Sequence, residues 1–175
     1  MTQIITYIMA YATVAAQAAT VILLAVYFSK ADWAKDIKTF VAQRYLVIGF
    51  LIALGATAGS LFYSEIAGFE PCKLCWLQRI FIYPQSVLFA VALIKNKKDA
   101  ADYSAPLSAI GGLVAAYHYY IQLGGSPLIP CSAASASACA QRFVMTFGYI
   151  TIPLMALSAF ALLFVTGLIS QKYKK

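Results

Sequence analysis

The sequence predicts an all-α polytopic membrane protein. Four helices form a transmembrane bundle, preceded by one additional N-terminal transmembrane helix and a short amphipathic interfacial helix. Three observations carry this. Hydrophobic residues make up 62% of the 175 and charged residues 11%, against about 45–50% and about 25% in soluble domains. The apolar residues fall in runs long enough to cross a hydrocarbon core, which takes roughly 20 helical residues. The 13 Lys and Arg fall mainly between those runs, where membrane topology uses them. A net charge of +7 spread this way, with no basic face interleaved with aromatics, gives no footing for nucleic acid. The length suits one bundle with no second soluble domain. The chain divides into an N-terminal part, residues 1–44, and a four-helix membrane domain, residues 45–175.

Residues 4–28 carry no charge, and Gln17 is their most polar side chain. A cleavable signal peptide would need a cation before a shorter apolar core, yet the first cation, Lys30, follows the run. An uncleaved span is therefore expected. In residues 30–44, Trp33, Ile37, Phe40 and Val41 share one face at helical spacing. Lys30, Asp36 and Lys38 lie largely elsewhere, and Asp32 is placed to cap the start. A helix lying in the headgroup layer fits this pattern; an ordinary polar connector is the alternative. The second span covers about residues 45–63. Its Gly55 and Gly59 form a small-xxx-small pair suited to close helix packing within the bundle.

A loop then leads to Pro71-Cys72-Lys73-Leu74-Cys75-Trp76-Leu77-Gln78-Arg79, at the start of a third span over about residues 76–94. Pro84 inside that span removes a backbone donor and kinks the helix unless neighbours compensate. A fourth span, about residues 103–123, holds His118, the chain's only histidine. Residues 124–141 are rich in Ser, Ala, Gly and Pro and carry Cys131 and Cys139. A fifth span, about residues 143–169, contains Pro153 and precedes a basic tail.

Five spans put the termini on opposite sides. One set of connectors then holds Lys30, Lys35, Lys38, Arg44, Lys95, Lys97, Lys98, Lys172, Lys174 and Lys175, and the other only Lys73, Arg79 and Arg142. The positive-inside rule assigns the first set to the cytoplasm. The expectation is a multi-pass membrane protein with its N-terminus outside and its C-terminus cytoplasmic. All four cysteines then face the oxidising, extracytoplasmic side, where disulfides persist. Two local pairs suggest Cys72–Cys75 and Cys131–Cys139, although four cysteines allow three connectivities.

Cys75 lies at or near a helix N-terminus, whose unpaired N–H groups favour the reactive thiolate. Arg79 follows by four residues on the same helical face. There it would stabilise that thiolate or a reduced anionic cofactor; the alternative is an arginine snorkelling to headgroups. Two dithiol pairs on one side suggest a relay by thiol–disulfide exchange. The electrons need a sink, and a membrane quinone is the natural two-electron acceptor in the bilayer. His118 lies about 9 Å below the outer end of its span, at about 1.5 Å per residue. That depth suits a quinone head group, and Gln122 shares its face. A histidine satisfied by a neighbouring helix is the alternative. Four thiolates would also hold structural zinc, but the gap between Cys131 and Cys139 is untypical of zinc ligands, so no metal ligand is assigned. There is no βαβ pattern for a soluble thioredoxin motif, and Trp76 stands where a c-type haem site would need His.

The run Pro71-Cys-Lys-Leu-Cys-Trp-Leu-Gln-Arg-Ile-Phe-Ile-Tyr-Pro84 closely resembles the signature of the DsbB family of disulfide-bond formation proteins, in particular its BdbC-like branch. Tyr117-His118-Tyr119-Tyr120-Ile121-Gln122 and Gly148-Tyr149-Ile150-Thr151-Ile152-Pro153-Leu154 resemble further family segments. The resemblance implies a four-helix membrane bundle that reoxidises a DsbA-like thioredoxin-fold dithiol oxidase and passes electrons to a quinone, ubiquinone or menaquinone. It implies that Cys131 forms the mixed disulfide with that partner, Cys139 attacks Cys72, and Cys75 faces the quinone. Arg79 matches a quinone-proximal arginine, and His118 a position near the quinone. The helix before Lys30 and the segment after it are additions to the family core, and the Cys131–Cys139 loop is short. An enzyme of the vitamin K epoxide reductase type also couples loop thiols to a quinone. There the loop pair precedes the Cys-x-x-Cys, the reverse of the order here. A non-catalytic membrane protein with structural disulfides or zinc is the alternative from another class.

Overall fold

The computed structural model describes residues 2–97, 99–126 and 139–173. Within them five long helices run α1 (Thr2–Phe28), α2 (Asp32–Leu61), α3 (Lys73–Ile94), α4 (Ala100–Gln122) and α5 (Ile152–Lys172), with one π-helical turn, Phe62–Ile66, closing α2. Contacts at each end of the bundle show that successive helices run antiparallel. Met9 of α1 meets Gly59 of α2, Arg79 of α3 reaches Ser60, and Gln122 of α4 reaches Gln141 before α5. These contacts mark one end of the bundle. At the other end Lys38 bonds Ser29, Lys172 lies over the Tyr27 ring and Gln171 bonds Ala101. α5 packs most closely on α4 and also touches α2 and α1; α3 bridges α2 and α4.

Four elements, Thr2–Phe28, Asp32–Ile66, Lys73–Ile94 and Ile152–Lys172, are long and apolar enough to cross a membrane. The protein is thus an all-α, multi-pass membrane protein. α4 is long enough at 23 residues but is not one of the four. It carries the buried polar residues Ser104, Ser108, His118 and Gln122, which lower its apolar character and which it turns inward.

Two element boundaries differ from expectation. There is no separate amphipathic interfacial helix: residues 32–61 form one continuous helix, so residue 44 falls inside it. Of the polar residues expected on the opposite face, Lys30 and Asp36 are exposed and only Lys38 is buried. Trp33 and Phe40 are exposed, while Ala34, Lys38 and Val41 are buried. The physical reason is that a membrane helix presents apolar groups outward and can bury a cation where a backbone acceptor receives it. Lys38 Nζ donates to Ser29 O at 2.6 Å. Asp32 does not cap; it pairs with exposed Lys35. The last helix begins at Ile152 rather than near residue 143. Pro153 sits in its first turn, where its missing N–H has no intrahelical partner to lose. Before it, Thr146 and Ile150 exchange backbone hydrogen bonds around a tight turn. Phe147 (φ +54°) and Gly148 (φ +78°) take left-handed conformations there.

Polar side chains join the helices. Ser104 and Ser108 of α4 donate to buried Gln85 Oε1 of α3 at 2.6 and 3.1 Å, and Thr57 meets Ser86 at 2.9 Å. In an apolar surround such bonds hold helices that burial alone would not select. Pro84 is accommodated within α3 without ending it.

Candidate active site: a thiol pair opening on a membrane cavity

The chain turns into α3 at Cys72, which is the N-cap. Its sulfur accepts the Cys75 N–H at 3.4 Å. The helix start therefore serves Cys72 directly, not Cys75 as the sequence suggests. Cys75 stands one turn in, its sulfur 3.1 Å from Cys72 Sγ, and both are free thiols. Beside the pair stands His118, buried, with Nε2 3.6 Å from Cys72 Sγ. The hydrogen bond from Cys75 holds the Cys72 thiol far below its ordinary value of 9.0, to about 4. Burial opposes this, and the hydrogen bond and field of His118 reinforce it.

His118 is fixed from both sides. Its Nδ1 is 2.9 Å from Gln78 Nε2, and its Nε2 is 3.2 Å from the Cys139 carbonyl oxygen. Cys139 is fully buried, disulfide-bonded, and packs with Ile121 against Cys72, Leu74 and Tyr117. The structure thus gathers Cys72, Cys75, Cys139 and His118 at one end of the bundle; Cys131 lies outside the described residues. Gln122, one turn beyond His118, donates from Nε2 to Gln141 O at 3.0 Å, and the guanidinium of Arg142 donates to the Gln122 carbonyl. Gln122 Oε1 is buried without a partner among the described residues.

Arg79 does not snorkel. It is buried, and donates from Nε to Ser60 Oγ at 3.0 Å and from a terminal nitrogen to Ser60 O at 3.2 Å. The Trp76 ring lies 5.0 Å from its guanidinium carbon. Tyr83 also donates to Ser60 Oγ, at 3.1 Å. Ser60 and Gln78 thus orient the two polar groups that sequence reading singled out, and that reading missed both. For Gln78 the available signal was an uncharged polar side chain one residue before Arg79, inside an apolar run.

Cys72, Cys75, Gln78, Arg79, His118 and Gln122 all line one cavity of about 570 Å³. Its other walls are mainly apolar residues of α1, α2 and α5. A dithiol at the polar end of such a cavity can exchange with Cys139 on one side and face a membrane-borne reactant on the other.

The model of the family "Disulfide bond formation protein DsbB" matches residues 42–170. The SPbeta prophage-derived disulfide bond formation protein B of Bacillus subtilis is 44% identical over 129 residues, 74% of this chain and 86% of that protein. The probable disulfide formation protein C 1 of Bacillus anthracis is 40% identical over 119 residues, 68% and 86% of the two chains. The disulfide bond formation protein C of Bacillus subtilis is 37% identical over 123 residues, 69% and 88%. No solved structure matches. A family match that takes in Cys72, Cys75, Arg79, His118 and Cys139, together with a free thiol pair beside a disulfide-bonded cysteine, places this chain in the DsbB family of membrane disulfide oxidoreductases.

Proposed function

We propose that this protein reoxidises an extracytoplasmic DsbA-like thioredoxin-fold dithiol protein and delivers the electrons to a quinone. The observation that carries this reading is the opening of Cys72, Cys75, Arg79, His118 and Gln122 into one cavity. The residues fit such a group. The cavity is large enough for an aromatic ring, its walls are mainly apolar, and its polar end offers the Arg79 guanidinium and Gln122 Oε1, which has no partner among the described residues. A carbonyl oxygen suits the donor and a hydroxyl hydrogen the acceptor. When bound, the quinone supplies a two-electron, two-proton sink, which turns a dithiol into a disulfide.

This chain's residues carry the remaining steps. A partner thiolate attacks the Cys131–Cys139 disulfide at Cys131, releasing Cys139. The partner's second thiol then displaces Cys131 and leaves as a disulfide. Cys139, packed on Cys72, attacks Cys72 of an oxidised Cys72–Cys75 pair and expels Cys75 as thiolate. Cys131 then closes on Cys139 and frees Cys72. His118 Nε2 stands 3.6 Å from Cys72 Sγ; its Nδ1 faces the Gln78 amide nitrogen, which holds the ring in place and leaves Nε2–H to donate toward the Cys72 thiolate. Arg79, pinned to Ser60, keeps a fixed positive charge where negative charge develops. The thiol end lies outside, since the opposite end carries Lys30, Lys35, Lys38, Lys95, Lys97 and Lys172.

Cys75→Ser should abolish quinone reduction by reduced partner, and Cys131→Ser should remove the trapped mixed disulfide. Normal turnover in either variant sinks the relay. A second reading rests on Cys72, Cys75 and His118, whose ligand atoms lie within 4.8 Å of one another. Among the described residues these three fall short of the closed four-ligand set of structural zinc. One zinc per purified chain with no reducible disulfide would favour that reading over the relay.

A further inference from the structure

The cavity does not end at the polar groups. It continues along a helix that the family match, beginning at residue 42, does not include. Ala12, Ala15, Ala16 and Ala19 of α1 line it. Their spacing puts them on one helical face; Met9 and Thr13 of α1 also line the cavity, and the Thr13 hydroxyl is satisfied by the Met9 carbonyl. Opposite stand Gly55 and Leu51 of α2. At Gly59 the two helices touch: an added Cβ would lie 2.2 Å from Met9 Cε. One turn deeper, at Gly55, an added Cβ would meet nothing within 4 Å. The helices therefore meet beside the thiols and part below them. The gap runs about 12 Å from Gly59 to Leu51, at about 1.5 Å per residue.

α1 is held as a wall. Gln17 Nε2 donates to Ser158 Oγ at 3.2 Å and Gln17 Oε1 accepts from Tyr149 at 3.3 Å. The rings of Tyr7 and Tyr11 lie against Phe147, centroids 6.5 and 5.3 Å apart. The two ends of the slot differ chemically. One holds the buried Gln122 Oε1, without a partner among the described residues, together with Arg79 and His118; the other is lined mainly by apolar side chains such as Ala19, Leu51 and Leu162. A slot with a hydrogen-bonding head and an apolar stem fits a molecule of the same division.

We propose that α1 forms the lipid-side wall of a slot for the polyisoprenoid tail of the quinone, so that this chain reads the tail with a helix outside the family core. The proposal rests on the quinone reading above. It is tested on the full-length protein in nanodiscs, with dithiothreitol as dithiol donor. Each turnover forms one cyclic disulfide and passes two electrons and two protons to the quinone, giving the hydroquinone. Two acceptors with the same ring are compared, one tail-less and one polyprenylated. Ala16→Phe and Gly55→Leu, which fill the slot from opposite walls, should lower the tailed-to-tail-less ratio of kcat/KM about tenfold, through KM for the tailed quinone. Val21→Phe, on the exposed side of α1, should keep the wild-type ratio. If both slot variants keep the wild-type ratio while the tail-less quinone is reduced, the slot holds something else, such as a phospholipid acyl chain, and the proposal fails. If wild-type protein reduces neither quinone, the quinone reading itself fails and takes the slot with it.

Discussion

At Cys72 a single proton separates a nucleophile from an inert thiol. The Cys75 sulfur lies 3.1 Å from the Cys72 sulfur and His118 Nε2 3.6 Å from it, so the reduced pair can share one proton between two sulfurs. The Cys72 pKa lies at about 4 instead of 9.0. A depressed folded value means that the thiolate's contribution to stability is complete above about 9 and is lost as pH falls through about 4. Alkylation of Cys72 in reduced protein should accordingly show its midpoint near pH 4. His118→Ala should raise that midpoint, and Gln78→Ala should raise it less, because it frees the ring without removing it. A midpoint near pH 9 in the wild-type protein would refute the shared proton; identical midpoints in all three proteins would remove His118 from the pair. The Cys-x-x-Cys, Arg79 and His118 are legible in the sequence because their residue types are rare in apolar runs. Ser60 and Gln78 are not, because a serine or glutamine becomes a positioning group only through the partner that folding sets beside it.

At the scale of one element, the helices were readable, and so were the ends of α1 at Phe28 and α3 at Ile94; the start of α5 and the extent of α2 were not. Long apolar runs announce α1, α3 and α5, whereas the start of α5 depends on a turn. Residues 146–150 close on themselves through two backbone bonds, which takes residues 143–151 out of the expected helix and leaves Pro153 in its first turn. The continuity of α2 through residue 44 was equally hidden. The charges of residues 30–44 read as a headgroup segment until Lys38 finds the Ser29 carbonyl. Close packing decides how α4 and α5 fit. A Cβ at Gly111 would lie 2.4 Å from Phe160 Cζ, and Phe160 is buried in the main core. Gly111→Leu should therefore destabilise the protein by about 1–3 kcal/mol through overpacking, read as a lowered Tm in detergent. Gly112→Ala, where the nearest atom stands 3.6 Å away, should leave Tm nearly unchanged. Equal Tm for Gly111→Leu and wild type would mean that the two helices do not approach so closely.

For the whole molecule, everything turns on which end faces the cytoplasm. The two ends are chemically opposite. Cys72, Cys75 and Cys139 share one, and Lys38 and Lys172 lie at the other. Five antiparallel helices put the N-terminus at the thiol end and the C-terminus at the lysine end, provided that α4 crosses with the rest. Its composition alone does not say so, since only four elements are apolar enough by themselves. Its packing does: α4 lies against both α3 and α5 along its length, and its polar groups Ser104 and Ser108 are spent on Gln85 and not on lipid. A membrane-impermeant maleimide applied to intact cells after reduction should label native cysteines. A single cysteine introduced at Lys172 in a chain stripped of the other four should label only after permeabilisation. The same substitution at Gln3 should label without it, which tests the crossing of α1 and the count of five together. Labelling of Gln3→Cys and Lys172→Cys from the same side would mean an even number of crossings, and α4 or α1 would then have to lie outside the hydrocarbon core.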